Sequence, residues 1–231
     1  MGSVITVRGL INPCMALESV RGSQIKRQRV MHGRNVKMKK IPTLFERKFL
    51  PKHKVITKPN VVKGFEWVLE GEGDATVKFD GSCCAVINGV FYKRYDAKGK
   101  NIPAGAIKCQ DEPDPITGHF PCWVKCSRTN PADKWFWNAF DNTNDITDGT
   151  YEAIGKHFQG NPYNMDIDYL IRHGKTIIPL ADRSFQGIKQ YLAERANNGA
   201  GIEGFVFWKD GVPQCKIKSS DFGIDWKGNK K

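Results

Sequence analysis

The chain has 231 residues and a formal net charge of +12, a length that suits one domain or one domain with an extension. Hydrophobic residues make up 40% of the chain, which is enough to bury a core, and no uncharged apolar run reaches the roughly eighteen residues that a membrane-spanning helix needs. We therefore expect a soluble globular protein without a membrane partner, and the excess of positive charge favours an anionic partner.

The excess charge is concentrated near the N-terminus. The stretch from Arg21 to Lys54 contains twelve of the 36 basic residues and one of the 24 acidic residues. Such a segment attracts polyanions, and each phosphate that it neutralises releases counterions. Nucleic acid is the expected partner, and a solvated basic tail without a specific role is the alternative. The residues that we expect to contact the nucleic acid are Arg27, Arg29, Arg34, Lys37, Lys39 and Lys40.

Residues 1–60 show little hydrophobic periodicity and contain three prolines, Pro42, Pro51 and Pro59. We therefore interpret 1–60 as a basic, loosely packed N-terminal extension and 61–231 as the folded domain.

From residue 63 onward, short β-rich runs alternate with turns. The apolar runs 83–87 and 90–92 flank Asn88-Gly89, which is the strongest local signal for a β-hairpin. The runs 205–208 and 215–218 flank a turn at 209–211 and predict a second hairpin.

Between the two hairpins, one helix is predicted from Ser184 to about Asn197, with Ser184 as its N-cap and Asn198-Gly199 as its stop. The aromatic run 135–137 is interpreted as core side chains on a strand, with base stacking as the alternative. Many short strands and few helices predict an α+β fold rich in antiparallel strands.

The seven cysteines show no disulfide framework, because their number is odd and their spacing irregular. With no signal peptide before residue 11, a reducing intracellular setting, and specifically the cytoplasm, is expected. A zinc site made of Cys109, His119, Cys122 and Cys126 is the alternative, but its spacing is not a standard knuckle and we expect buried thiols.

Four short motifs follow one another in the chain: Lys78-Phe79-Asp80-Gly81, then residues 151–155 (YEAIG), residues 203–207 (EGFVF) and residues 216–218 (KIK), with Arg94 after the first. The first motif alone is a weak signal, because a strand ending in an Asp-Gly turn has the same sequence. All four in this order resemble the covalent nucleotidyltransferase superfamily, which contains ATP-dependent DNA ligases, RNA ligases and messenger-RNA capping guanylyltransferases.

The lysines of these motifs have a chemical rationale. A lysine amine attacks phosphorus only when it is neutral, whereas free lysine is almost wholly protonated at pH 7. Lys216 and Lys218 are two residues apart, so on a strand both project from one face. If that face is directed at Lys78, the like charges lower the pKa of Lys78 and also neutralise a triphosphate.

The superfamily resemblance implies an antiparallel-rich nucleotidyltransferase (adenylation) domain of the ATP-grasp-like ligase type, with Lys78 as the catalytic nucleophile. It also implies that Glu152 takes the ribose, that Glu203 stands near Mg²⁺ or Mn²⁺, and that His173 stacks on the base or is a structural histidine. Both glutamates are candidates for the metal. The full set of expected nucleotide-binding residues is Val77, Asp80, Gly81, Arg94, Glu152, His173, Glu203, Lys216 and Lys218.

A narrower resemblance rests on the segments 78–84 (KFDGSCC), 118–124 (GHFPCWV), 160–163 (GNPY) and 203–208 (EGFVFW), together with His173-Gly174. These look like the animal 5′-to-3′ RNA ligase 1 family and its small viral relatives, over roughly residues 63–218. The basic arm and the shorter loops between the motifs depart from the animal form. Only thirteen residues follow Lys218, so we expect no C-terminal OB-fold of the kind that DNA ligases and capping enzymes usually carry.

The expected function is therefore that of a monomeric ATP-dependent RNA ligase. It would join 5′-phosphate and 3′-hydroxyl RNA ends through a lysyl-AMP intermediate and adenylylated RNA. The alternatives are a minimal ATP-dependent DNA ligase, a GTP-using capping guanylyltransferase, and a catalytically silent nucleic-acid-binding module.

Overall fold

The computed structural model describes residues 38–51, 55–98, 101–115 and 117–227. These residues form a mixed α+β fold rich in β-structure. The strands are β1 (Phe45–Phe49), β2 (Val55–Val61), β3 (Asp74–Lys78), β4 (Ser82–Ile87), β5 (Val90–Lys98), β6 (Ile107–Lys108), β7 (His119–Lys125), β8 (Gly149–Ile154), β9 (Tyr169–Arg172), β10 (Gly204–Lys209) and β11 (Val212–Lys218). The helices are α1 (Glu66–Leu69), α2 (Lys134–Asp141) and α3 (Phe185–Asn197), with 3-10 turns at Pro131–Asp133 and Ser219–Phe222.

The strands form three antiparallel sheets. The order is β1-β2 in the first, β11-β10-β3 in the second and β6-β7-β5-β4-β8-β9 in the third. The prediction of an α+β fold rich in antiparallel strands is thus confirmed.

Both predicted hairpins are present. Asn88 and Gly89 have positive φ angles of 51° and 72° and join β4 to β5, as a tight hairpin turn requires. Asp210 and Gly211 have φ angles of 53° and 73° and join β10 to β11.

The predicted helix is α3. The Ser184 hydroxyl accepts a hydrogen bond from the backbone N–H of Gly187. The buried residues of the helix are Ile188 and Leu192. The backbone N–H of the C-cap residue Asn198 closes the last turn.

The strand predicted at residues 135–137 is wrong, because these residues lie in α2. Asn130 caps the preceding 3-10 turn, whose first residue is Pro131, and this pair starts a helical segment. Phe136 and Phe140, four residues apart, pack on the same apolar cluster, which is the spacing of one helix face. Core packing of this aromatic run therefore occurs on a helix.

The two larger sheets bury different faces. Helix α2 covers the face of the six-stranded sheet that carries Cys84, Val86 and Tyr151. Helix α3 covers the face of the three-stranded sheet that carries Val77 and Phe205. Side chains alternate along a strand, so the remaining faces carry Cys83 and Glu152 on one sheet, and Lys78, Lys216 and Lys218 on the other.

The interpretation of residues 1–60 as a loose extension does not hold for their last part. Leu44 and Phe45 are fully buried in the core beside α3, because residues 42–44 add to the edge of β11: Lys216 donates its backbone N–H to Pro42 at 3.0 Å, and Leu44 donates to Lys216 at 2.8 Å. Most of the basic segment, including Arg27, Arg29, Arg34 and Lys37, lies outside the described residues.

No helix in the described ranges combines the length and the apolar character that crossing a bilayer requires.

We predict that Phe45→Ala lowers the free energy of unfolding by about 3–5 kcal/mol, because it leaves a cavity in the core. Phe49, at the other end of the same strand, is 75% exposed, so Phe49→Ala is the matched control and changes stability by less than about 0.5 kcal/mol. Denaturant titrations followed by circular dichroism measure both values. Equal effects of the two substitutions would contradict the burial of Phe45.

Candidate active site

Lys78 lies where the chain crosses from one large sheet to the other. It is the last residue of β3, and only residues 79–81 separate it from Ser82, the first residue of β4. A second crossing lies close by: after β9 the chain passes through His173 and Gly174, and residues 176–178 then bond to the edge of β3. The two crossings bring motif residues from both sheets together.

The ammonium groups of Lys78 and Lys218 meet on one carboxylate. Gly204 is paired with Lys78 on one side and with Lys218 on the other, so the three residues form a row across the sheet. The preceding residue, Glu203, accepts a hydrogen bond from Lys78 on Oε2 and one from Lys218 on Oε1, the latter at 2.7 Å. Four residues of three motifs therefore meet at one point.

Glycine is required at position 204. Its φ of 154° is unfavourable for other residues, and a Cβ there would lie 2.0 Å from the carbonyl oxygen of Ile217. The central residue of the row consequently has no side chain between Lys78 and Lys218.

Lys216 has a different environment from its two neighbours. Within the described residues no carboxylate lies within 4.0 Å of its ammonium group. Burial, together with the like charges of Lys78 and Lys218, lowers the pKa of Lys216 to about 8, although the Glu203 carboxylate acts in the opposite direction. Lys216 is thus a partly buried cation with like charges beside it and, among the described residues, no carboxylate in direct contact.

The Glu203 carboxyl is held in its ionised form. Burial acts to raise the pKa of this group, but the adjacent Lys78 and Lys218 outweigh burial, and the pKa lies below its usual value. Lys78 has the Glu203 carboxylate as its partner, and the expected effect of the neighbouring lysines on Lys78 stays a prediction.

A second half of the site comes from the six-stranded sheet. Glu152 Oε1 accepts a hydrogen bond from the Gly81 backbone N–H at 3.1 Å, and Oε2 lies 3.0 Å from His173 Nε2. A Cβ at Gly81 would lie 2.2 Å from the carbonyl oxygen of Ala153. Gly81 therefore permits the loop after Lys78 to approach β8 closely.

His173 is anchored by this contact. Because an ionised carboxylate can only accept hydrogen bonds, Nε2 carries the proton that points at Glu152, and Nδ1 is buried without a hydrogen-bond partner. His173 is therefore hydrogen-bonded through one ring nitrogen, and both the structural role and the base stacking stay predictions.

Asp80, the third residue of the first motif, contacts Tyr163 and Lys227, two residues for which the sequence predicted no role. Its backbone N–H donates to the Tyr163 hydroxyl oxygen at 2.7 Å, and its carboxylate pairs with Lys227 Nζ at 2.5 Å. Burial raises the pKa of Tyr163, and the nearby carboxylates of Glu203 and Glu152 add to the effect. The signal for Tyr163 was its place in the 160–163 segment, but nothing in the sequence signalled Lys227.

Two predicted residues occupy other positions. The Val77 side chain alternates away from Lys78 and packs in the core at 7% exposure, so it does not face the site. Arg94 lies on the site side of the six-stranded sheet, where its Nε donates to Asp96 at 3.1 Å and its guanidinium faces the Cys83 thiol.

Of the residues expected to contact RNA, only Lys39 and Lys40 are described. Both are exposed, and Lys40 pairs with Asp114 at 3.0 Å. They lie between Met38, which donates its backbone N–H to Cys109, and Pro42, which accepts from Lys216. This segment, residues 38–44, thus runs from the six-stranded sheet to the edge of β11.

The alternative zinc set does not assemble within the described ranges. Cys109 packs with Trp123 in one apolar cluster, whereas Cys126 packs with Phe91 in another. The six described cysteines are all free thiols, and burial is the largest cause of the raised pKa of each.

The donor set fits a polyphosphate well and a directly bound magnesium ion less well. The cluster of Lys78, Lys216 and Lys218 contains one carboxylate, Glu203, so its charge exceeds neutrality by two. Both oxygens of Glu203 and both oxygens of Glu152 already accept hydrogen bonds. A magnesium ion would thus be held mainly by phosphate oxygens and water, with Glu203 close by.

Neither the known protein-family models nor the curated proteins contain a match for this chain. The family resemblance therefore depends on the motifs themselves.

We predict that the Lys216 ammonium titrates with a midpoint near pH 8 and that Lys78→Met raises this midpoint toward the ordinary value of 10.5. The rise is partial, because removing Lys78 removes a like charge but leaves the burial of Lys216. NMR titration of the lysine side-chain carbons measures the midpoint. The exposed Lys189 on α3 gives the control, Lys189→Met, which leaves it unchanged. A midpoint above pH 10 in the unsubstituted chain would contradict the prediction.

Proposed function

We propose that this protein is an ATP-dependent RNA ligase whose fold is the nucleotidyltransferase (adenylation) domain of the ATP-grasp-like ligase type. One observation carries the proposal: Lys78, Glu203 and Lys218, from three separate motifs, meet beside the unpaired Lys216. The motif resemblance supplies the reaction class, and the geometry supplies a nucleophile next to a site of excess positive charge.

The first step forms a bond between Lys78 Nζ and the α-phosphorus of ATP, and the bond from that phosphorus to the bridging oxygen of pyrophosphate breaks. Lys78 loses two protons to solvent overall, one before the attack, because only the neutral amine has a lone pair to donate, and one from the nitrogen once it is bonded to phosphorus. Lys216 and Lys218 offset the charge of the phosphates and of the departing pyrophosphate. Mg²⁺, or Mn²⁺ in its place, supplies further charge neutralisation when bound to the phosphate oxygens.

The second and third steps use the lysyl-AMP. A 5′-phosphate oxygen of RNA attacks the AMP phosphorus, the bond to Lys78 breaks, and the amine takes back a proton. A 3′-hydroxyl then attacks the 5′-phosphorus of the adenylylated RNA, loses its proton, and AMP leaves. Each step is a transfer at phosphorus, for which positioning and electrostatic stabilisation dominate.

The second half of the site is assigned to the nucleoside. Glu152 takes the ribose hydroxyls, and its bonds to the Gly81 N–H and to His173 hold it at the loop that follows Lys78. Because Gly81 is held on both sides, by Glu152 at its N–H and by Gln159 at its carbonyl oxygen at 3.0 Å, the loop is preorganised.

RNA is the proposed polymer, and the basic N-terminal segment is its proposed phosphate contact. Lys39 and Lys40 lie on the 38–44 segment, which ends beside Lys216, so a backbone bound along this segment leads toward the reacting lysines. We also propose a monomer in the cytoplasm, a reducing setting in which the six described free thiols are stable.

We predict that incubation with Mg²⁺ and ATP labelled at the α-phosphate leaves label on the denatured chain, and that Lys78→Ala abolishes this label because the nitrogen that bonds to phosphorus is gone. Lys189→Ala, an exposed lysine on α3, is the matched control and keeps the label. Label from GTP alone would indicate a capping enzyme, and no label from either nucleotide would refute the proposal in favour of a binding module.

We further predict that deleting residues 1–37 weakens RNA binding and reduces its dependence on salt, while self-adenylation is kept. The deletion removes basic residues and so removes counterion release, and it stops before the residues that pack in the core. RNA binding at several salt concentrations gives the slope of log affinity against log salt. A slope equal to that of the full chain would show that the segment makes no phosphate contacts.

Joining assays on single-stranded RNA and on nicked duplex DNA compare the two polymers.

A further inference from the structure

Three side chains of different chemistry converge beside the loop that follows Lys78. A thiol, a carboxylate oxygen and an imidazole nitrogen, from Cys83, Glu152 and His173, all lie within 4.8 Å of one another. Cys83 and Glu152 are paired directly across β4 and β8, and the His173 backbone N–H bonds to Thr150 on β8 at 3.1 Å. The cluster is thus built on paired backbone at the edge where the sheets cross.

The three donors make a set typical of zinc. Thiolate, imidazole and carboxylate are the protein ligands of Zn²⁺, which takes four of them or three with one water. Mg²⁺ prefers oxygen ligands, and nitrogen and sulfur donors favour transition metals over it. All three residues are partly exposed, and a water would supply the fourth ligand.

We propose that Cys83, Glu152 and His173 form a Zn²⁺ site, and that Zn²⁺ bound there blocks the nucleotide site. The second clause rests on the proposed function, whereas the first does not. Glu152 is the link between the two: an oxygen that binds the ion is drawn away from its present partner, either the Gly81 N–H or His173, and is lost to a ribose hydroxyl.

Binding the ion requires two protons to move. The Cys83 thiol loses its proton to solvent, because the thiolate is the metal ligand. His173 Nε2 must become unprotonated, so its proton passes through solvent to Nδ1, and the ring stays neutral.

Two features of the surroundings limit the affinity. Burial raises the pKa of the Cys83 thiol and the Glu152 charge raises it further, while the Arg94 guanidinium opposes both. His173 Nδ1 is buried without a partner, whereas a zinc-bound histidine normally donates its other N–H to an acceptor. The site is therefore a reversible one, loaded when free Zn²⁺ rises, and not a permanent structural centre.

The neighbouring cysteine provides a matched control. Cys84 is the next residue in β4, but its side chain points to the opposite face of the sheet and packs beside Tyr151 under α2. Cys83→Ser and Cys84→Ser therefore remove the same atom from adjacent positions, of which only one belongs to the cluster.

Co²⁺ is the spectroscopic probe, and the full-length reduced chain is used with a phosphine reductant that does not bind the metal. We expect one Co²⁺ per chain, with a thiolate-to-cobalt charge-transfer band in the near ultraviolet, and loss of the band when Zn²⁺ displaces Co²⁺. The band disappears in Cys83→Ser and persists in Cys84→Ser. Absence of the band in the unsubstituted chain, or an equal band in Cys83→Ser, would overturn the site.

A second measurement needs no substitution and so remains informative if a variant fails to fold. Zn²⁺ should slow the alkylation of Cys83 in the native chain at least several-fold, as mapped by mass spectrometry. Alkylation of Cys83 at the same rate with and without Zn²⁺ would count against the site.

The blocking effect is read from self-adenylation in excess Mg²⁺. Zn²⁺ should raise the apparent KM for ATP in the unsubstituted chain and in Cys84→Ser, and leave Cys83→Ser unaffected. Equal inhibition of all three chains would refute the blocking clause. If no chain takes up label from ATP, the proposed function fails, while the cobalt band still decides whether the metal site exists.

Discussion

The carboxylate of Glu203 is the contact on which the candidate site depends. Three ammonium groups occupy one face of a three-stranded sheet, and in partly buried surroundings their mutual repulsion is only weakly screened. Glu203 offers one oxygen to Lys78 and the other to Lys218. The carboxylate thereby contacts two of the three ammonium groups and fixes both side chains, while Lys216 has no carboxylate within 4.0 Å among the described residues.

This arrangement depends in turn on backbone register. Lys78 and Lys218 meet because each is paired with Gly204, and Gly204 permits the strands to pack there because it has no Cβ. The second half of the site follows the same logic, since Gly81 lets the crossing loop touch β8 where Glu152 lies. Two glycines of separate motifs therefore determine how closely the charged side chains approach.

Local signals predicted part of this structure correctly. The Asn88-Gly89 turn and the Ser184 N-cap are short-range features, and the bounds of β4 and α3 were predicted almost correctly. The strand after the turn, β5, extends to Lys98, well beyond the predicted run 90–92. The four motifs were also expected to lie close together in space, but this expectation came from the resemblance to the nucleotidyltransferase superfamily. Physical reasoning from the sequence contributed the idea that Lys216 and Lys218 share a face, which the strand β11 confirms.

The errors arose where distant contacts decide the outcome. A three-residue aromatic run is compatible with either a strand or a helix, and packing of Phe136 against a sheet far along the chain selects the helix. Leu44 and Phe45 are two apolar residues in a basic stretch, and nothing nearby in sequence reveals that Leu44 bonds to β11. The Glu152–His173 pair and the contact of Tyr163 with Asp80 likewise join residues far apart in sequence.

The three-stranded sheet is bonded along both of its outer strands. Residues 176–178, which follow β9, bond to β3. On the other side, residues 42–44 bond to β11, and Met38, a few residues earlier in the chain, bonds to Cys109 beside β7. A hinge that swung this sheet away from its neighbour would have to break hydrogen bonds on one side or the other. The two linking segments therefore restrict how far the sheets can separate while their backbone hydrogen bonds are kept.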